Sequence, residues 1–545
     1  MKTLYRVFAI AASLGVLAGC STKLLDIPQQ GVQSEAASYV SDSDCEAATA
    51  AVYSAWRHAW SGVGESVTYG GDSYYCNLFW FKNLLGDDVL SANHVNQVEL
   101  GNLCLSNGNA WIGAIYEFLY NTIYLSNTVM DKFQPDSDTK RRCIAEAKFF
   151  RALCYYELTT LWGRVPKIEH VLSSENNYQC APAEIDDLWA FVLQDLTDAI
   201  DSGYLPHKKN KDDKDMGHIT QEAAYAVRGK VNLTIQKYSE ARTDFDKVIS
   251  SQLYGLIDNM GDLYHKEANG CKEYVFENIR HWDDSNLYKQ DGWQGLEDNW
   301  LFGFGLIAAD DAPYKFVNFQ GWGAISPSKK IYDAFVAEEG ATSPRRLASL
   351  VCDSDLPALK VSYNTNMEWT GNEGYFRFKW LMNMDDEWDQ GWTGRLNNTP
   401  CMRYADVLLM MAEACVRDGA SGDTYYNEVR TRAGLPTKTG VTMADIKKER
   451  FLELCFEATR WQDLKRWDDA EGGNVLKTEL GDKGVQIPKY IVKVTKEGDV
   501  ITSVDKQVTY AANPNPAAGY QDEDKYLPYP LVEIQTNKLI TSGNE

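Results

Sequence analysis

Residues 403 to 467 constrain this chain most, because helix starts, apolar stripes and helix stops follow one another there without interruption. The stretch reads RYADVLLMMAEACVRDG, then YYNEVRTRAGLP, then TMADIKKERFLELCFEATRWQDLKRW. In the first piece Val407, Leu408, Met411 and Cys415 recur at helical spacing, and Gly419 can end the helix. In the second, Gly434 supplies a left-handed stop and Pro436 blocks continuation. In the third, Thr442 and Asp445 form a helix start, and Phe451, Leu454, Cys455, Ala458 and Trp461 make one buried stripe.

The opposite face of that third helix carries Arg450, Glu453, Glu457 and Arg460 at three- and four-residue steps, a spacing that stacks them as alternating ion pairs. Two readings compete. Glu453 and Glu457 form either a catalytic carboxylate pair or part of a structural ion network. A general acid needs a raised pKa, whereas flanking arginines stabilise the ionised form, which favours the network.

RYADVLLMMAEA, NEVRTRAG and ERFLELCFEATRWQDLKRW closely resemble the C-terminal signature of the SusD/RagB family. The resemblance implies a surface lipoprotein that binds nutrients, mostly glycans, beside a SusC-like TonB-dependent transporter. It also implies a mainly α fold, in which a tetratricopeptide-like helical scaffold carries an inserted loop-rich lobe with short strands.

The N-terminus reads MKTLYRVFAIAASLGVLAGC, a short basic start followed by an apolar run too short to span a membrane. Leu17-Ala18-Gly19-Cys20 resembles a bacterial lipobox, so residues 1 to 19 are expected to be a signal peptide and Cys20 the lipidated residue. Ser21 rather than an aspartate follows, which favours the outer membrane; surface exposure rests on the family resemblance. The formal net charge is -23, or about -25 once Lys2 and Arg6 leave (-23 minus 2). Such a charge repels nucleic acid and anionic membrane surfaces. Of twelve cysteines, the eleven besides Cys20 are scattered without a C-x-x-C pair, so no zinc framework is visible. Cys143, Cys154, Cys415 and Cys455 fall on helical apolar faces and are expected to be buried free thiols.

A tether, residues 20 to 43, leads into one domain spanning residues 44 to 545. Helical periodicity marks a scaffold at about 44 to 60, 110 to 257 and 401 to 470. Within it, helices are expected at Asp44 to Trp60, Ala110 to Phe133, Thr139 to Trp162 and Glu184 to Ile200, followed by a pair around Ala224 to Phe245. Small and large residues alternate in these helices as in tetratricopeptide pairs, without a strict 34-residue period. Residues 61 to 109 and 258 to 400 lose that periodicity and read as the loop-rich lobe, pressed onto the scaffold. Residues 471 to 545 form a tail in which Lys489 to Val504 alternates like a hairpin.

Three motifs carry no chemistry. Gly303-x-Gly305-x-x-Ala308 lacks the preceding core strand that a dinucleotide site needs. The seven histidines never stand at i, i+4, and the acidic run at Asp385, Asp386, Glu387 and Asp389 lacks the EF-hand pattern. No metal or cofactor is expected.

The aromatic residues of the lobe carry the useful signal. Half of the sixteen tryptophans lie between Trp282 and Trp392, in text without helical spacing. The flat C–H faces of sugar rings stack on such side chains while polar neighbours bind hydroxyls. The candidate ligand-binding residues are Trp80, Trp282, Trp293, Trp300, Trp322, Tyr75 and Asn83, with Asn77, Arg280, Asp283, Asp284 and Asn299 as further polar neighbours. Family resemblance supports the region without fixing the positions. The function expected is non-catalytic capture of an oligosaccharide or polysaccharide at the cell surface, for delivery to the transporter. Two alternatives stand beside it: peptide capture, as in the RagB branch, and an α-helical glycoside hydrolase, which needs two carboxylates flanking a sugar cleft.

Overall fold

The computed structural model of the chain describes residues 39–62, 65–73, 76–91, 94–172, 178–208, 217–279, 306–309, 311–312, 325–379 and 397–540. The scaffold begins with α1 (Asp42–Ser61), which Ser41 and Asp44 start with reciprocal side-chain-to-backbone hydrogen bonds. Two short helices follow, α2 (Leu78–Leu85) and α3 (Val95–Gly101). The long pair α4 (Ala110–Lys132) and α5 (Asp138–Trp162) comes next, then α6 (Ile185–Asp201), α7 (Gln221–Thr234) and α8 (Tyr238–Ser250). The lobe contributes α9 (Lys329–Glu339) and α10 (Pro344–Ser349). The scaffold resumes with α11 (Tyr404–Arg417), α12 (Asp423–Arg432), α13 (Met443–Glu453), α14 (Arg460–Glu471) and α15 (Val475–Leu480), and α16 (Leu531–Thr536) lies in the tail.

Successive scaffold helices pack on one another: α1 on α4 and α5, α5 on α6, α6 on α7, α7 on α8, and α8 on α11. The small residues explain the close approach. Ala145, Ala147 and Ala152 of α5 are buried with Phe149, Phe150 and Leu158 around them, so bulky rings of one helix fit over alanines of the next. Gly163 ends α5 at φ +72°, and a Cβ there would meet the Tyr526 ring at 2.9 Å. Glycine thus permits both the left-handed stop and the docking of the C-terminal tail. Leu527 donates its amide to the Leu161 carbonyl at 2.8 Å, and Trp162 Nε1 donates to the Pro528 carbonyl at 3.1 Å.

The lobe is built from short antiparallel pairs. β1 (Val89–Ser91) pairs with β4 (Ile325–Pro327), β2 (Tyr274–Asn278) with β9 (Thr399–Arg403), β3 (Leu306–Ala308) with β6 (Val361–Tyr363), and β5 (Leu350–Cys352) with β8 (Tyr375–Arg377). The tail forms a hairpin, β10 (Gln486–Glu497) and β11 (Val500–Ala512), and β10 also pairs with β7 (Met367–Thr370). The hairpin is longer than the alternation from Lys489 to Val504 predicts, and its pairing with β7 fastens the tail to the lobe. Beneath it lies a second, smaller core of Val351, Val361, Trp369, Phe376, Tyr490 and Val492, separate from the main core of the scaffold. The fold is therefore mainly α with an inserted lobe of short strands.

Two expectations are corrected. Residues 61 to 109 are not one long loop, because α2 and α3 lie within them. All eight residues of α2, LFWFKNLL, are buried, and the helix is too short for a helical period to stand out from the surrounding text. Nor is the stretch from Thr442 to Trp467 one helix. It breaks between α13 and α14, where Phe456 and Ala458 take φ of +64° and +60°. Side chains from the α2 region hold this elbow: Asp88 accepts the Phe456 amide at 2.7 Å, and Asn83 Oδ1 accepts the Ala458 amide at 2.9 Å. Cys143, Cys154, Cys415 and Cys455 are buried and unbridged.

Candidate functional site

The break between α13 and α14 changes how the charged residues of the C-terminal signature pair. Arg450, Glu453, Glu457 and Arg460 do not face one another along one helix; each reaches a different element. Arg450 holds Asp463 through two bonds of 2.8 Å, and Arg460 holds Asp87 at 2.6 and 2.9 Å. Arg403, at the end of β9, donates to Glu457 at 2.7 Å, to Glu273 at 2.6 Å and to Glu453 at 3.1 Å. Arg345 of α10 reaches Glu449 at 2.6 Å and Glu453 at 3.1 Å, and Arg432 of α12 also pairs with Glu453. Lys379, beyond β8, donates to Glu457 at 2.8 Å. Arg345 and Lys379 belong to the lobe, whereas Arg403, Arg432, Glu453 and Glu457 belong to the scaffold. This buried network therefore locks the two parts in register.

The network also fixes protonation. Burial alone would raise the Glu453 pKa, but Arg432, Arg403 and Arg345 outweigh it and hold the carboxyl far below the usual carboxylate range. Glu457 is likewise lowered, with Arg403 and Lys379 overcoming the burial penalty. Both stay ionised at neutral pH, so neither has a proton to give to a leaving group.

Beside the network, a cavity of about 590 Å3 opens between the Met260–Tyr264 turn and α10. Pro344, Leu347 and Leu359 give it apolar walls; Asn259, His265 and Asp355 give it polar ones. That mixture and size suit a small polar ligand with apolar faces. Asn259 is already engaged, accepting the Gly261 amide at 3.1 Å and donating to Asp262 at 2.8 Å, which shapes the wall. Desolvation works to raise the Asp355 pKa, but its pairing with Arg346 and the Cys352 amide hydrogen bond hold it below the ordinary value. It too is ionised. No cluster of His, Cys, Asp and Glu able to hold a metal occurs among the described residues.

The residues that sequence patterning nominated for the ligand divide into two groups. Trp80 and Asn83 belong to α2 and are 5% and 3% exposed. The Trp80 ring lies under the Arg377 guanidinium at 4.5 Å and edge-on to Phe79 at 5.5 Å, so it offers no free face for stacking a sugar. Asn83 secures the elbow before α14 and donates its amide to the Phe79 carbonyl at 2.9 Å. Both are structural, because α2 is buried on every side. Asn77 is the cap of α2. Tyr75, Trp282, Trp293, Trp300 and Trp322 lie outside the described residues, as do Arg280, Asp283, Asp284 and Asn299. The same is true of Cys20, Gly303, Gly305 and the acidic run from Asp385 to Asp389. Every tryptophan among the described residues sits in a core or packs against one, Trp189 being half-buried on the scaffold. The residues lining the lobe cavity carry no sequence pattern of their own; they come together only when α10 docks on the scaffold.

Comparison with known proteins places this geometry. A family model described as the SusD family matches residues 302–545, and one described as starch-binding associating with outer membrane matches residues 65–233. A SusD-like protein of Bacteroides ovatus is 23% identical, over 98% of this chain and 97% of its own length. Among solved structures, a laminarin binding SusD-like protein superposes with a TM-score of 0.70 at 23% identity, covering 92% of this chain and 98% of its own. Surface glycan-binding protein A from Bacteroides thetaiotaomicron, in complex with laminarihexaose, gives a TM-score of 0.69 at 20% identity, covering 93% and 100%.

Proposed function

Because this chain belongs to the SusD-like family, we propose that it captures a neutral oligosaccharide or polysaccharide without cleaving it and passes it to a SusC-like TonB-dependent transporter. The observation that carries the reading is the architecture itself: a loop-bearing lobe locked onto a helical scaffold by a buried ion network. Similar proteins over nearly the full chain are SusD-like, and two solved ones are named for laminarin or hold laminarihexaose.

The lobe provides the ligand surface, with the cavity beside α10 and the aromatic segments around Tyr75 and from Trp282 to Trp322 as its parts. Capture without hydrolysis agrees with Glu453, Glu457 and Asp355 all being held ionised, since glycoside hydrolysis needs one protonated carboxyl. Cys20 anchors the chain to the outer membrane by its lipid. No described helix is long and apolar enough to cross a membrane, and one matching family is described as outer-membrane associated.

Affinity electrophoresis of the chain from Ser21 through gels containing neutral polysaccharides, laminarin first, tests the reading. Retardation by at least one polysaccharide, with no reducing ends released, is the expected result. Retardation by none, together with binding of extended peptides, would replace glycan capture with peptide capture.

A further inference from the structure

On the scaffold, away from the lobe cavity, a second cleft of about 410 Å3 lies along α4. One wall is α4 itself, a second is made by Pro166, Ile168, Leu172, Tyr178 and Cys180, and the third is α16 with Asn537. It shares no lining residue with the lobe cavity. Four tyrosines line it. Tyr116 and Tyr120 stand one turn apart on α4, with ring centroids 4.7 Å apart. Tyr178 stands at the rim, 64% exposed. The hydroxyl end of the Tyr69 ring packs on the helix at Gly113, where a Cβ would come within 2.0 Å of the ring. Glycine inside a helix costs about 1 kcal/mol relative to alanine, and here its effect is to seat an aromatic ring in the cleft wall.

The polar groups define the ligand. Tyr116 is 5% exposed, and its hydroxyl makes no hydrogen bond of ordinary geometry; its neighbour, the Tyr120 hydroxyl, donates to the Pro166 carbonyl at 2.7 Å. A buried hydroxyl held only by the neighbouring Tyr120 keeps hydrogen-bonding capacity that a ligand hydroxyl in the cleft would use. Among the described residues no lysine, arginine or histidine lines the cleft, which argues against a phosphate or an acidic glycan. Two carboxyls do, and each is engaged by hydrogen-bond donors. Glu117 accepts from Ser66 Oγ at 2.8 Å and from the Val67 amide at 2.9 Å, and Glu533 is raised by burial and receives the Asn537 amide at 3.3 Å. Aromatic rings, hydroxyls and two carboxyls with remaining acceptor capacity match the apolar faces and hydroxyl groups of a sugar.

We propose that this tyrosine-lined cleft is a second carbohydrate site, which takes a neutral oligosaccharide segment while the lobe holds another part of the same chain. The inference rests on the carbohydrate-binding reading above. Two linked sites raise avidity for a long polymer far more than for a short one.

Laminarihexaose and laminarin are the probes, applied to the chain from Ser21, and Tyr178→Ala is the first variant because its ring is exposed and its loss spares the core. Glu533→Gln is the second. Hydrogen exchange with laminarihexaose should protect residues 113–121 and 531–537, and Tyr178→Ala should abolish that protection. Retention in laminarin gels should fall about tenfold on Tyr178→Ala, while hexaose binding at the lobe persists. Glycan binding with no protection at α4 and no effect of either variant would overturn the cleft and leave the lobe reading intact. Protection by a lysine-rich peptide but not by laminarihexaose would make the cleft a cation cage instead. Absence of any glycan binding would overturn both proposals.

Discussion

Replacing Glu453 with alanine should destabilise the protein without touching ligand affinity. The side chain is fully buried and receives Arg403 and Arg345, each at 3.1 Å, together with Arg432. Removing one partner of a buried ion pair costs roughly 3–5 kcal/mol, because the remaining charge keeps its desolvation penalty. The three cations retain other acids: Arg345 keeps Glu339 and Glu449, Arg403 keeps Glu273 and Glu457, and Arg432 keeps Glu273. The loss therefore stays inside that range rather than tripling. Unfolding entropy of about 2.1 cal/mol/K per residue gives about 1.1 kcal/mol/K for 545 residues melting together, so Tm should fall by roughly 3–4 °C. The effect should shrink steadily in acid. A carboxyl whose folded pKa is depressed stabilises fully above its unfolded value, about 4.5 here, and loses that contribution progressively as pH falls from there towards its much lower folded pKa. Calorimetric melts of wild type, Glu453→Ala and Glu453→Gln from pH 7 to pH 3 measure this, with glycan affinity recorded alongside at pH 7. Unchanged Tm at pH 7 would refute the structural assignment, and unchanged Tm with lost glycan turnover would make Glu453 catalytic.

Three other outcomes follow from the same structure. Trp80→Ala should cost about 3–5 kcal/mol of stability, as large core aromatics do, and lower the denaturant midpoint before it alters affinity; normal stability with lost binding would return Trp80 to the ligand site. Cys20→Ala should leave the fold intact and move the protein from the membrane to the soluble fraction, and mass spectrometry finding a lipid-free mature N-terminus elsewhere would contradict it. Glycan affinity should change little between 50 and 500 mM salt, since a neutral ligand releases no counterions; a steep salt slope would point to a charged ligand.

The helical part of this fold was legible because its helices are long and carry their caps in the sequence. The pair from Ala110 to Trp162 starts at Asn109 and Ser137, whose side chains accept the first free amides. α2 was not legible, since its eight residues are shorter than the stretch over which a helical period stands out. The break before α14 was hidden for a different reason. Its left-handed residues are Phe456 and Ala458 rather than glycine, and the groups that hold them, Asp88 and Asn83, lie more than three hundred residues away. The ion residues were visible as a cluster, but their partners could not be read from i, i+4 spacing once the helix was broken. The aromatic signal was coarser still. Spacing alone does not separate a ring that fills a core, such as Trp80 or Trp369, from one that faces a ligand. The lobe cavity and the tyrosine cleft have no linear motif, because each draws its lining from segments far apart in the chain.

Titration calorimetry of the chain from Ser21 tests capture by the lobe most directly, using laminarin, other neutral polysaccharides and an extended peptide set, for wild type and for Trp282→Ala, Trp293→Ala and Trp300→Ala. Aromatic stacking is worth about 1–3 kcal/mol per ring on removal, by analogy with base stacking. The account predicts that wild type binds at least one polysaccharide, that no sugar is released, and that one or more of the three variants loses about 5- to 150-fold in affinity at unchanged Tm. Peptide binding without polysaccharide binding, or steady release of reducing sugar, would contradict it.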